Sequence, residues 1–224
     1  MSRVLVIPDL HLPVEHKHAI DFCVDVYNQY ECDKVVFIGD IMDNHAISFH
    51  AKHPNCPSAV DEFYQVMTSL RQWYDTFPVA DVMIGNHDER VHRLAESVNI
   101  PSKYLKPYAE MWDTPEWNWV FETIIDGVYY YHGNKAGGNT PGLKKAMKIG
   151  MPVVMGHRHS VAGIHYNATP MCLYWGLDVG CLIDRKAWQF EYGKHIDNKP
   201  ILGCGVVDDG FEGQFVPMKM EKYK

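Results

Sequence analysis

Lys34-Val35-Val36-Phe37-Ile38-Gly39-Asp40-Ile41-Met42-Asp43 begins as an unbroken apolar run and ends on a glycine and two aspartates. A run this short, bounded by a turn residue, reads as a buried strand. Acids at its carboxyl end stand where open α/β sheets place their ligands. Upstream, Val4 to Ile7 is a second buried strand, and His18 to Tyr30 carries Ile20, Phe22, Cys23, Val26 and Tyr27 at helical spacing. The order is therefore strand, helix, strand. Downstream, Asn44 to Pro57 has no periodicity and reads as a long loop. Ser58 then reads as an N-cap, with Asp61 three residues on, opening a helix that runs to about Asp75. Val79 to Ile84 is a third buried strand, and Glu89 to Val98 a further helix stopped by Asn99 and Pro101.

From Trp117 the pattern changes to alternation. Trp119, Phe121 and Thr123 share one face of a strand, which turns at Asp126-Gly127 into Val128-Tyr129-Tyr130-Tyr131, predicting a hairpin. Thr140-Pro141 supplies an N-cap and first-turn proline for a short helix ending at Gly150, followed by the strand Val153-Val154-Met155. Ala162 to Met220 is mostly strand, with turns at Asn198-Lys199-Pro200 and Asp208-Asp209-Gly210. An α/β first half and a β-rich second half predict a two-sheet β-sandwich flanked by helices. At 224 residues, with 46% hydrophobic and 22% charged side chains, the chain is expected to be a single globular domain over 1–224.

The net charge of −7 argues against a general duplex-DNA binder. It leaves a nuclease open, because a pair of divalent metals governs the local field. Met1-Ser2-Arg3 leads into an apolar run too short for a signal peptide or a membrane span. The six cysteines have no C-x-x-C spacing, so reduced thiols and a cytoplasmic location are expected, with no membrane partner.

Five segments each follow a predicted strand: Asp9-Leu10-His11, Gly39 to Asp43, Gly85-Asn86-His87-Asp88, His132-Gly133 and Gly156-His157-Arg158-His159. At the carboxyl ends of neighbouring strands their side chains can converge. Asp9/His11 and His157/His159 are spaced i, i+2, which on an extended backbone turns both members to one side. Histidine, aspartate and one asparagine, with no cysteine placed to join them, suit borderline or hard divalent ions. Manganese is favoured, with iron, zinc, nickel or magnesium as alternatives.

Taken in order, these segments resemble the D-x-H, G-D-x-x-D, G-N-H-[DE], H and G-H-x-H pattern of the calcineurin-like metallophosphoesterase superfamily, and in size its compact bacterial and phage-type members. The resemblance implies two divalent metal ions: Asp9, His11 and His159 on one, Asn86, His132 and His157 on the other, Asp40 between them. It implies that His87 donates a proton to the leaving group and that Asp43 orients it. Physically, a metal pair activates water for in-line displacement, and a histidine of near-neutral pKa protonates the departing oxygen.

Protein phosphatases of this superfamily resemble G-D-x-x-D-R-G at the second motif, where Asn44-His45 stands here. The missing arginine points away from phosphomonoesters toward diesterases and nucleases acting on nucleotides or nucleic acid. Asn44, Arg90 and Arg158 are candidates to meet the phosphate, with Arg93 one turn beyond Arg90. His45, His50 and His53 offer a third metal site or a substrate lid, against the plainer reading of a solvated loop. The aromatic run Met111 to Trp119 offers base stacking, against the plainer reading of core. The alternatives to a phosphodiesterase are a phosphomonoesterase and, in another class, a catalytically silent protein-binding scaffold like the retromer subunit of the superfamily. The sequence leaves the oligomeric state unassigned.

Overall fold

The computed structural model describes residues 2–49, 52–187, 197–219 and 221–223. The elements are β1 (Arg3–Ile7), α1 (Ala19–Gln29), β2 (Lys34–Phe37), α2 (Ala59–Thr76), β3 (Ala80–Met83), α3 (Arg90–Ser97), α4 (Tyr108–Met111) and β4 (Trp117–Val120). They continue with β5 (Glu122–Ile125), β6 (Val128–Tyr131), α5 (Pro141–Ile149), β7 (Val153–Met155), β8 (Ala162–Ala168), β9 (Leu173–Val179), β10 (Gly203–Asp208) and β11 (Glu212–Pro217). Among the described residues one sheet has the order β11-β10-β1-β2-β3-β4 and the other β5-β6-β7-β9-β8. β1 to β4 are parallel neighbours, as are β6, β7 and β9, with antiparallel strands at the flanks.

The unbroken apolar runs follow from burial of both strand faces. Val4, Val6, Val36 and Ile38 point between the sheets against Tyr130, Val154, Leu177 and Val179. Leu5, Ile7, Val35 and Phe37 point the other way, to Phe22, Cys23 and Val26 of α1 and Val66, Leu70 and Trp73 of α2. The Trp73 and Phe37 rings meet edge to face at 5.8 Å, and fully burying one such side chain contributes roughly 1.5–3 kcal/mol. α2 starts as its sequence predicts, the Ser58 hydroxyl accepting from the Asp61 N–H at 3.1 Å.

Three expectations change. The stretch from Trp117 to Thr123 is not one strand: β4 pairs with β3 in the first sheet, and after Phe121 the chain enters the second sheet as β5, paired with β6 across the expected Asp126-Gly127 turn. Alternation cannot reveal this, because both halves have a buried face. The loop after Asn44 contains one tight helical turn, His45–Ile47. Thr140 makes no side-chain cap; the buried carboxylate of Asp178 on β9 faces the start of α5 instead, 3.3 Å from the Gly142 N–H. Two residues earlier on the same strand, a Cβ on Gly176 would come within 2.0 Å of the Leu143 nitrogen, so glycine admits the helix this close.

Burial pushes the Asp178 carboxyl up to about 7, and the Gly142 N–H and Arg158 only partly oppose it. With its folded value above its unfolded one, the fold favours the protonated acid, and that advantage is lost as pH rises through about 7. Asp178→Asn should match the parent in Tm near pH 4 and gain several degrees between there and about pH 7, holding the gain above it. Thermal melts across this range provide the check, and a variant that falls below the parent at pH 8 would contradict the assignment.

Candidate metal centre

Asp9, Asp40, Asn86, His132 and His157 all lie just past the carboxyl ends of their strands, β1, β2, β3, β6 and β7. The first sheet supplies Asp9, His11, Asp40 and Asn86, and the second supplies His132, His157 and His159. Three clusters place one donor atom per residue within 4.8 Å of the others: Asp9/His11/His159, His11/Asp40/His87 and Asp40/His132/His157. His159 Nε2 lies 3.1 Å from Asp9 Oδ2 and 3.1 Å from His11 Nε2. On the other side His132 Nε2 is 3.1 Å from Asp40 Oδ2 and 3.3 Å from His157 Nδ1. Asp40 stands between the groups, its Oδ2 also 3.8 Å from His11 Nε2.

The backbone achieves this convergence differently from the expectation of extended i, i+2 pairs. His11, Asp40, Asn44 and His157 have φ of 53°, 50°, 49° and 67°. This left-handed region is uncommon for side-chain-bearing residues, and Asn, Asp and His enter it most readily among them. Sharp turns thus aim the donors, and such strain persists where the surroundings over-determine it. Two glycines let the backbone pass behind the carboxylates. A Cβ on Gly85 would meet Asp40 Oδ1 at 2.2 Å and one on Gly156 would meet Asp9 Oδ1 at 2.3 Å.

Whether these residues suit divalent cations is answered by their charge and their unmet bonds. Asp9 and Asp40 are buried at 0% and 2% exposure. Burial works against their ionisation, yet the imidazoles, His132 foremost, hold both carboxyls below the ordinary range. Conversely, burial opposes a charge on His132, but Asp40 and Asp9 push it up to about 10. The paired anions therefore demand positive charge at this spot. The Asn86 Oδ1 atom is buried without a hydrogen-bond partner among the described residues, a lone pair in want of a cation. The rings are also presented correctly: His132 Nδ1–H donates to the Ile38 carbonyl at 2.9 Å and His11 Nδ1–H to Asp43 Oδ1 at 3.0 Å, leaving each Nε2 turned inward. The donor set fits two divalent ions.

The family profile for calcineurin-like phosphoesterase matches residues 2–180. The chain belongs to the calcineurin-like phosphoesterase family. Its sequence is similar to the Gene 54 protein of Mycobacterium phage D29, 25% identical over 92% of this chain and 89% of that one. Among solved structures it is similar to a metallophosphoesterase from Sphaerobacter thermophilus (13% identical, TM-score 0.49, 97% of this chain and 88% of that one). A nuclease MPE from Pseudomonas putida is similar at 13% identity and TM-score 0.41, over 95% and 87% of the two chains.

In this phosphoesterase His87 is engaged at both nitrogens. Its Nδ1 donates to the Asp43 carbonyl at 2.8 Å and lies 3.1 Å from Asp43 Oδ1, while Nε2 faces Arg90 Nη2 at 3.1 Å. Burial disfavours the imidazolium, but Asp40 and Asp43 outweigh it and raise the pKa. Asp43 touches both His87 and His11, so it orients two rings rather than one. Arg90, buried at the start of α3, also donates through Nη1 to the carbonyls of Asp43 at 2.6 Å and Asn44 at 3.1 Å. Asn44 Nδ2 donates to the His87 carbonyl at 3.0 Å, tying the second and third motifs together. Arg158 is half-buried between His157 and His159, near enough for its charge to act on Asp178.

Two straps were not visible as such in the sequence. Asp88 accepts from the Met42 N–H at 3.1 Å and the Gly85 N–H at 2.8 Å, and Glu62 of α2 accepts from His45 at 2.7 Å and Ala46 at 2.8 Å. Their signal was an acid beside an N-terminal helical turn, too common to single out. His45 and His53 join none of the clusters that could hold an ion among the described residues, and His50 lies outside them. Trp112 and Trp117 are buried, Trp112 stacked on Phe63, while Trp119 stacks on Tyr108 at 5.3 Å and donates to Thr114 at 3.0 Å. The aromatic run is core.

Gly156→Ala should push the Asp9 carboxylate out of place while leaving the strands folded. Bound Mn²⁺, measured by elemental analysis after dialysis, should fall at least about tenfold in affinity, with the far-ultraviolet circular dichroism of the parent.

Proposed function

We propose that this phosphoesterase hydrolyses phosphodiesters of nucleotides or nucleic acid at a centre of two divalent ions, manganese before iron, zinc, nickel or magnesium. In this reading Asp9, His11 and His159 hold one ion, Asn86, His132 and His157 the other, and Asp40 lies between both. When bound, such a pair activates water near neutral pH and spreads the charge on the phosphate. The observation that carries the diester preference is Arg90. Asn44 stands where an arginine would grip a dianionic monoester, and the guanidinium nearest to His87 is already committed to the Asp43 and Asn44 carbonyls. A site with its cation so engaged suits the single charge of a diester.

His87 acts as the proton donor to the leaving oxygen. Its Nδ1 is fixed by Asp43, so Nε2 is the atom that delivers the proton. Here Nε2 accepts a hydrogen bond from Arg90 Nη2 at 3.1 Å, so the leaving group must displace the guanidinium from that nitrogen before Nε2, once protonated, can donate to it. Asn44 holds the His87 backbone in register, and Arg158 is a further contact for the phosphate. The intact donor set argues against the scaffold alternative.

The test sets bis(p-nitrophenyl) phosphate and p-nitrophenyl phosphate against single-stranded and duplex DNA, RNA and cyclic nucleotides, each with several divalent ions. Diesters should be preferred, and a strong preference for the monoester would overturn the choice. His87→Ala should keep both ions yet lose about 10²–10⁴ in kcat, most for substrates whose leaving group is a poor one. Loss of both ions from that variant would make His87 a ligand instead. Arg90→Ala should lower turnover of the same poor leaving groups, whereas a uniform rise in KM would place its guanidinium on the phosphate alone.

A further inference from the structure

Against the loop that follows Asp43 lies a cavity of about 500 Å³, within the range of small-molecule sites. It shares walls with the catalytic end of the molecule. Pro13 and Val14 continue the chain directly from His11 and Leu12, Asn55 and Pro57 close the loop that begins at Asn44, and Glu62 both lines the cavity and pins the His45–Ala46 turn. The remaining wall is one face of α2: Gln65, Thr68 and Ser69.

Its chemistry is selective. The Thr68 hydroxyl spends its hydrogen on the Tyr64 carbonyl at 2.9 Å and so offers acceptor lone pairs. Ser69 likewise spends its hydrogen on Glu15, which lies behind the lining, and so offers lone pairs to the cavity. Glu62 adds a carboxylate. Such a lining repels a phosphate and attracts a neutral group rich in N–H donors, while the amides of Asn55 and Gln65 serve as donor or acceptor and the proline rings give apolar surface. Adenine, cytosine and guanine each carry an exocyclic amine, whereas thymine and uracil present carbonyls in its place.

We propose that this cavity is a subsite for an amino-bearing nucleobase of the substrate, one that selects adenine, cytosine or guanine over thymine or uracil. The proposal rests on the phosphodiesterase reading for its placement beside the scissile phosphate. The base enters between α2 and the 53–57 loop, while the phosphate lies at the Asp9/Asp40 centre.

The experiment compares three diesters on the Mn²⁺-loaded protein: the 5′-(p-nitrophenyl phosphates) of deoxyadenosine and thymidine, and methyl p-nitrophenyl phosphate, which has no base. KM should be about tenfold lower for the deoxyadenosine ester than for the thymidine ester, the scale of a few base-directed contacts, with similar kcat. Gln65→Ala and the isosteric Thr68→Val, both in the lining, should abolish that difference and leave the methyl ester untouched, with unchanged Tm. Equal KM for the two nucleoside esters would overturn the subsite while leaving the diesterase reading standing. Failure to cleave any of the three esters would instead sink the diesterase reading. In that case free deoxyadenosine decides the subsite alone: amide shifts at Gln65 and Ser69 in nuclear magnetic resonance spectra, absent with thymidine, support it, and no shifts with either nucleoside overturn it.

Discussion

Two carboxylates buried side by side, Asp9 and Asp40, are the constraint around which this phosphoesterase is arranged. Removing an anion from water costs several kcal/mol unless partners restore what is lost. Part of the restoration is backbone: the His157 N–H donates to Asp9 at 3.0 Å and the His87 N–H to Asp40 at 2.8 Å. Those N–H groups reach the carboxylates because Gly85 and Gly156 let the chain run against them. The rest is imidazole: Asp40 and Asp9 act on His132 and push its pKa up to about 10, against the effect of burial. Left-handed turns, glycines and histidine orientation are one solution to one electrostatic problem.

Around that centre runs a second network, built on Asp43, His87 and Arg90. Asp43 is shared by His11 and His87, so both rings are held by the same carboxylate. Arg90 then binds the carbonyls of Asp43 and Asn44 and reaches His87, which links α3 to the turn after β2. A guanidinium satisfies these demands because its fork of donors is planar and pre-organised. Lysine would reach the carbonyls with a single point of charge and would not span to the ring.

Much of this was legible in the residues. Buried strands showed as apolar runs because both their faces are covered, and Ser58 announced α2 because a cap and its partner are neighbours in sequence. The gathering of Asp9, His11, Asp40, His132, His157 and His159 was legible because their segments directly follow short apolar strand runs. What escaped depends on contacts distant in sequence. Nothing local to Trp117–Thr123 shows that the chain changes sheets at Phe121. The positive φ of His11 and His157 is imposed by the cluster they enter. Arg90's burial depends on carbonyls more than forty positions away, and Trp119 is occupied by Tyr108 and Thr114 rather than turned to a ligand. Asp178 displaced Thr140 as the group facing α5 because packing brought β9 there, not because the cap sequence was poor.

The passage of the chain from one sheet to the other at Phe121 has a mechanical corollary. Covalently the two layers are joined there by a single residue between β4 and β5, and donors for the ions come from both layers. Ions seated at that seam would behave as rivets, resisting any sliding of one layer over the other. Such ions would then carry shear load as well, so that metal binding and the cohesion of the two halves would share a fastening.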